Sequence, residues 1–256
     1  MKYYIYQNTA DTRNIQLKKD ITANLKTIVA YPNDADLIVV LWWDGTMLEA
    51  VQALHHHNKI FFGVNCGTLW FLLNDIKSVD EIPQDINHLQ MITEPFLEAS
   101  IETADGQNHD HILAVNDIVI NPHLHLYPKF HIQKAWQSIK TLQWSWLIIS
   151  SAIWSTGYRA NFDGPLIPTW QDNIWLMWSG TWGFKYSLMQ WPFPYTIDIN
   201  ARDPIDIYVD GTYKILSDAT SITYKPSTKT FTLAFDKKDF HEKRLQLHSS
   251  KLERFL

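Results

Sequence analysis

The chain has 256 residues, is 46% hydrophobic and 19% charged, and carries a formal charge of -5. This composition is that of a folded globule of one large or two modest domains, and its acidic balance lacks the basic footprint of a nucleic-acid binder. The single cysteine, Cys66, excludes an internal disulfide and a cysteine-built zinc site.

Met1 to Tyr6 reads as an opening β-strand with no signal-peptide pattern. The longest apolar runs, such as Leu37 to Trp43, are too short to span a bilayer. A reducing cytoplasm is the expected setting. Asp36 to Leu41 holds a short continuous apolar run, as in a strand buried on both faces of a parallel sheet. The turn Asp44-Gly45-Thr46 follows, then helical spacing from Met47 to Leu54. A second strand, Ile60 to Val64, leads into Asn65-Cys66-Gly67-Thr68-Leu69. Strand, polar turn, helix and strand in this order predict a doubly wound α/β domain over residues 1–95. Ligands of such sheets bind beyond the carboxyl ends of the strands, where both polar turns are expected.

From about residue 96 the segments become shorter and β-rich: Phe96 to Glu102, His111 to Ile120, Leu147 to Ser150, Tyr195 to Ile199, Ile205 to Val209 and Thr230 to Phe235. Turns such as Ala104-Asp105-Gly106 and Val209-Asp210-Gly211-Thr212 separate them. The expected fold is therefore α/β + β, with a mainly antiparallel domain over residues 96–235 and a tail, 236–256, packing back on the first domain.

Four segments carry the chemistry. Trp42-Trp43-Asp44-Gly45-Thr46-Met47-Leu48 comes first, and Gly63-Val64-Asn65-Cys66-Gly67-Thr68-Leu69-Trp70-Phe71-Leu72 second. Ala114-Val115-Asn116-Asp117-Ile118-Val119-Ile120 is third. Trp144-Ser145-Trp146-Leu147-Ile148-Ile149-Ser150 with Trp154-Ser155-Thr156-Gly157-Tyr158 is fourth. In order and separation they resemble the NAD kinase family, whose corresponding segments run Gly-Gly-Asp-Gly-Thr, Gly-(Ile/Val)-Asn-x-Gly-x-Leu-Gly-Phe-Leu, Asn-Glu, and Gly-Asp-Gly-Leu-Ile-x-Ser with Gly-Ser-Thr-Ala-Tyr. Gly164-Pro165 and Val209-Asp210-Gly211 also fall where the family has similar residues. The resemblance covers roughly residues 36 to 212.

The resemblance implies transfer of the ATP γ-phosphoryl group to the 2′-hydroxyl of the adenosine ribose of NAD, with Mg²⁺ accompanying ATP. It makes residues 1–95 the ATP-binding domain and 96–235 the NAD-binding domain. It assigns the catalytic base to Asp44, with Gly45, Thr46 and Asn65 in the same nucleotide site. Such a base suits the chemistry, because a ribose hydroxyl must lose its proton, and a helix starting after the base offers N–H groups to phosphates. Asn116 and Asp117 become ribose and nicotinamide-side contacts, with aspartate shorter than the family's glutamate. Ser145 stands at a family aspartate, Thr156, Gly157 and Tyr158 line the adenine and ribose pockets, and Asn161 replaces a family serine. Homodimers or homotetramers are implied as well. Plainer readings exist: Asp44 as a helix N-cap, and Asn116-Asp117 as an Asx turn. Diacylglycerol and sphingoid-base kinases share the Gly-Gly-Asp-Gly-Thr signature, and a catalytically inactive dinucleotide-binding regulator is a further alternative. His55-His56-His57, His123, His125 and His131 lack an acidic residue to complete a zinc set, so no metal ligands are assigned.

Twelve Trp stand against nine Gly, although glycine is typically about 7% of a protein. Trp42, Trp43, Trp70, Trp144, Trp146 and Trp154 occupy positions where the resemblance places glycine. The other six, Trp136, Trp170 and Trp191 among them, read as lying in turn-like contexts. One explanation is a gene whose organism reads UGA as glycine, translated here with tryptophan; the other is a pseudo-enzyme with real indoles. The first accounts for both the Trp excess and the Gly deficit. Indoles at Trp42-Trp43 are expected to block ATP.

Overall fold

Every residue of β2 (Leu37–Trp42) is buried, as a continuous apolar run in a parallel sheet requires. The computed structural model describes residues 1–7, 15–66, 72–122, 127–143, 145–153, 173–180, 183–190, 194–211 and 214–236. They divide into two units, Met1–Glu94 with Thr230–Leu256 and Pro95–Lys229. The last residues of β15 (Ala219–Phe235) thus belong to the first unit, whereas the sequence placed everything up to 235 in the second domain. The tail expected to pack back, 237–256, lies outside the described residues.

In the first unit β2 pairs in parallel with β1 (Tyr3–Gln7) on one side and β3 (Ile60–Asn65) on the other. Thr232 and Leu233 extend the sheet in parallel beyond β3. Helix α1 (Ile15–Asn24) connects β1 to β2, and α2 (Asp44–Leu54) connects β2 to β3. Helix α2 buries Thr46, Met47, Leu48, Ala50 and Val51, the apolar stripe of its sequence. Gly63 in β3 is where this layer comes closest: a Cβ there would lie 2.7 Å from Met47 Cε and 3.2 Å from the Leu72 carbonyl, and would also strike Leu73. A side chain there would require Met47 and Leu73 to shift.

The second unit is built of antiparallel pairs, and among its described residues there is no helix. One sheet takes β6 (Asp117–Pro122), β9 (Trp146–Ser150), β10 (Asn173–Gly180), β11 (Gly183–Gln190), β13 (Ile205–Val209) and β14 (Lys214–Leu216), in the order β11-β10-β9-β6-β13-β14. The other runs from β15 through β12 (Tyr195–Asn200) and β7 (Lys129–Lys134) to β8 (Gln137–Gln143), with β4 (Gln90–Thr103) and β5 (Asn108–Ala114) joined on at β15. Ile118, Leu147 and Ile207 of the first sheet and Phe130, Ile197 and Tyr224 of the second share one buried apolar core. The α/β unit followed by a β-rich unit matches the expected fold class. Among the described residues no helix is long and apolar enough to cross a membrane.

Two tryptophans have backbone that favours glycine. Trp42 closes β2 with φ 144°. Ala135 and Trp136 form a two-residue turn between β7 and β8, with φ of 46° and 70°. Positive φ at both central residues is the geometry for which hairpins select Asn-Gly. Trp175 and Trp178 contradict the turn-like reading, since both lie inside β10, where no backbone feature asks for glycine. Trp170, Trp182 and Trp191 lie outside the described residues.

Trp136→Gly should raise stability by about 1 kcal/mol, because the αL strain disappears and an indole 92% exposed gives up little packing. Gly63→Ala should lower it by ~1–3 kcal/mol through overpacking. Urea titration of the two variants beside the parent checks both signs.

Candidate active site

Between the end of β2 and the start of α2 only Trp43 intervenes. It is extended (φ -130°, ψ 173°), and its side chain makes no capping hydrogen bond. The first-turn N–H groups of an α-helix have no partner within the helix, and together with the helix dipole they favour an anion there. Asp44 is the first helical residue and does not cap α2; its Oδ1 accepts the Leu72 N–H at 2.9 Å. That bond fixes the half-buried carboxylate at the carboxyl end of β2. Thr46, one turn in, is fully buried, and its Oγ1 has no hydrogen-bond partner among the described residues.

Asn65 ends β3 and is buried, its N–H bonded to the Asn74 carbonyl at 2.9 Å. The Cys66 N–H reaches the Trp42 carbonyl at 3.0 Å, so the ends of β2 and β3 stay in register. Sequence reasoning missed Asn74. Its buried amide donates to the carbonyls of Gly63 (3.0 Å) and Ala234 (3.1 Å), and its Oδ1 accepts the Asp236 N–H at 3.1 Å. An isolated Asn in a loop gives no hint of such a role.

The two tryptophans before Asp44 part company. Trp42 is 3% exposed and packs into the first unit's core with Leu41, Phe62 and Val64. Trp43 is 51% exposed, and a Cβ on Gly45 would come within 3.3 Å of its indole. The Trp43 indole thus lies against the first turn of α2, whereas the Trp42 indole does not. Trp42 is a core residue on backbone that suits glycine.

In the second unit three strand ends meet. Antiparallel pairing sets the start of β6 beside the ends of β9 and β13, with Asp117 opposite Ser150 and Ile118 opposite Val209. Asn116 and Asp117 are both 3% exposed. Asn116 Nδ2 donates to Asp117 Oδ2 at 2.8 Å, while Asn116 Oδ1 is buried with no hydrogen-bond partner among the described residues. Burial, and secondarily the charge of Asp210, push the Asp117 carboxyl up to about 8. At neutral pH this side chain is largely protonated and able to donate. The pair thus offers an acceptor and a donor side by side.

Ser145 is half-buried just ahead of β9, and Trp146 opens that strand opposite Ser179. Thr156, Gly157, Tyr158 and Asn161 lie outside the described residues, as do His123 and His125. His55, His56 and His57 form a short 3₁₀ turn in which His57 Nδ1 lies 2.5 Å from Asn33 Oδ1. Lys129 lines a cavity with Tyr127, Arg202 and Asp203 near Pro122, at the far end of β6 from Asp117.

No family model matches the chain. It is 30% identical over 137 residues to an NAD kinase of Rhizorhabdus wittichii, covering 52% of each chain. The chain spans about half the length of such curated relatives, 46% for an NAD kinase of Acinetobacter baylyi that is 32% identical. Over about half of its length the chain is similar in sequence to NAD kinases. Among solved structures its fold is similar to that of an Archaeoglobus fulgidus NAD kinase in complex with ATP, at a TM-score of 0.75 and 17% identity, covering 98% of this chain and 99% of that one. At these identities the structural likeness shows the family fold, an α/β unit and a β-rich unit.

The raised Asp117 carboxyl has a consequence for stability. Between about pH 4, where an unfolded aspartate loses its proton, and about pH 8 the folded chain binds the extra proton. Stability therefore falls as pH rises through this window, at up to ~1.4 kcal/mol per unit from this group. Asp117→Asn should flatten that slope. Chemical denaturation at pH 5, 6.5 and 8 on parent and variant measures it.

Proposed function

We propose that the native protein is an NAD kinase, moving the γ-phosphoryl group of ATP to the 2′-hydroxyl of the adenosine ribose of NAD to give NADP. The observation that carries this reading is Asp44: a carboxylate anchored by the Leu72 amide at the start of α2, in a chain similar to NAD kinases over about half its length. The phosphates would lie on the Asp44-Gly45-Thr46 turn, where first-turn N–H groups meet negative charge. Asp44 would accept the 2′-hydroxyl proton as that oxygen bonds to the γ-phosphorus, and the bond from the γ-phosphorus to the β–γ bridging oxygen breaks to release ADP. In this reading Asn65 belongs to the same site.

Asn116 and Asp117 would hold NAD. The unpaired Asn116 Oδ1 accepts from a ribose hydroxyl or a carboxamide, and the protonated Asp117 donates. Ser145, Thr156, Gly157, Tyr158 and Asn161 complete the proposed dinucleotide contacts. Mg²⁺ would accompany ATP, held by its phosphates and water. A cytoplasmic homodimer or homotetramer is part of the same reading. A lipid-kinase reading is not favoured, because the curated relatives named above are NAD kinases.

We further propose that the organism inserts glycine at the tryptophan positions, Trp42, Trp43 and Trp136 first among them. The φ values of Trp42 and Trp136 support it, as does the Trp43 indole against the first turn of α2. Mass spectrometry of tryptic peptides from the native source should find glycine at these sites; tryptophan there would overturn the idea.

With glycine restored at 42, 43, 70, 144, 146 and 154, NADP formation should exceed that of the tryptophan-bearing chain by at least ~100-fold, the scale on which misplacing reactants acts. Asp44→Asn in the restored chain should then lose ~100-fold or more in kcat, and diacylglycerol should not be phosphorylated. A restored chain that phosphorylates diacylglycerol and leaves NAD unchanged would sink the reading.

A further inference from the structure

The Asn116–Asp117 segment owes its shape to a residue about ninety positions away. Asp210 sits just past β13, 6% exposed, in a left-handed turn with φ 52°. Its Oδ2 accepts the Val115 N–H at 2.9 Å. Its Oδ1 accepts the N–H groups of Asn116 at 2.6 Å and Asp117 at 3.2 Å. Its own N–H returns to the Asp117 carbonyl at 3.0 Å. From the other neighbouring strand, the Ser151 hydroxyl donates to the Val115 carbonyl at 2.8 Å and the Ser151 N–H to the Asn116 carbonyl at 2.9 Å. Three consecutive amides and three consecutive carbonyls are all engaged by these two residues.

A turn needing only to be tied down would be satisfied by backbone pairing, and β6 has backbone partners on both sides from Asp117 onward. What Asp210 adds is a single carboxylate collecting three successive N–H donors, charge-assisted bonds stronger than neutral ones. They orient the peptide planes of 115–117 and hence the Cα–Cβ directions of Asn116 and Asp117. We infer that Asp210, backed by Ser151, is a positioning residue that holds the Asn116 amide and the Asp117 carboxyl where a dinucleotide's ribose or carboxamide meets them. This rests on the NAD kinase reading for the identity of the ligand, but the clamp itself does not.

The test uses the full chain with glycine at 42, 43, 70, 144, 146 and 154, and the variants Asp210→Asn, Asp210→Glu and Ser151→Ala. Hydrogen exchange read by mass spectrometry should show the Val115–Asp117 amides of Asp210→Asn exchanging at least ~10-fold faster, the loss of one charge-assisted bond, with β7 and β12 unchanged. Calorimetry should show NAD affinity falling at least ~10-fold while ATP affinity stays put, with partial recovery in Asp210→Glu. Ser151→Ala leaves the carboxylate in place and should move both readouts the same way by less, which keeps the test alive if Asp210→Asn does not fold. Unchanged exchange at 115–117 would overturn the clamp. Faster exchange with undiminished NAD affinity would overturn its positioning role. A parent chain that binds no NAD would defeat the kinase reading separately, since the exchange measurement needs no nucleotide.

Discussion

Where β2 becomes α2 the backbone has one residue, Trp43, in which to stop being a strand and begin a helix. The turn is made by φ 144° at Trp42, a conformation almost reserved for glycine that costs another residue about 1–3 kcal/mol. Asp44 then follows at the carboxyl end of a buried parallel strand, in the first turn of α2. There Asp44 accepts the Leu72 N–H, and Thr46 lies on the buried face of α2. The candidate phosphate site thus follows directly after a residue whose backbone suits glycine better than tryptophan.

The second unit solves a different problem. Strand ends leave backbone donors and acceptors unpaired, and here the ends of β6, β9 and β13 are buried together. Asp210 and Ser151 satisfy them, but the cost is a second carboxylate, Asp117, in the same dry place. Two neighbouring buried carboxylates cannot both ionise cheaply, so one keeps its proton. Asp117 is the one that does. A protonated acid beside an amide with an unused oxygen forms a mixed donor and acceptor surface suited to hydroxyl and carboxamide groups.

Much of this was legible in order and spacing. The apolar runs at 37–41 and 60–64 announced parallel strands, because a strand covered on both faces tolerates no polar alternation. Asp44 was legible as a candidate base through the resemblance its motif carries, with a helix N-cap as the plainer reading of the same residue. Asp210 and Asn74 were not. Asp210-Gly211 reads as a turn, which it is, and nothing in the local sequence tells that its carboxylate reaches 115–117. The tryptophans were read too uniformly: Trp42 and Trp136 do occupy glycine-like backbone, whereas Trp175 and Trp178 sit in ordinary strand.

The amino-acid sequence alone determined the α/β and β-rich character of the two regions and the order of the motifs, since these follow from periodicity and residue chemistry along the chain; the choice of Asp44 as candidate base rests on the resemblance those motifs carry. Only the tertiary structure decided that Trp42 points into the core while Trp43 lies on α2, that Thr46 and Asn116 have buried oxygens with no partner among the described residues, and that Asp210 grips a segment about ninety residues earlier. Those outcomes depend on which strands become neighbours. Hydrogen-bond partners and buried charge are properties of spatial neighbours, and a linear pattern does not record who they are.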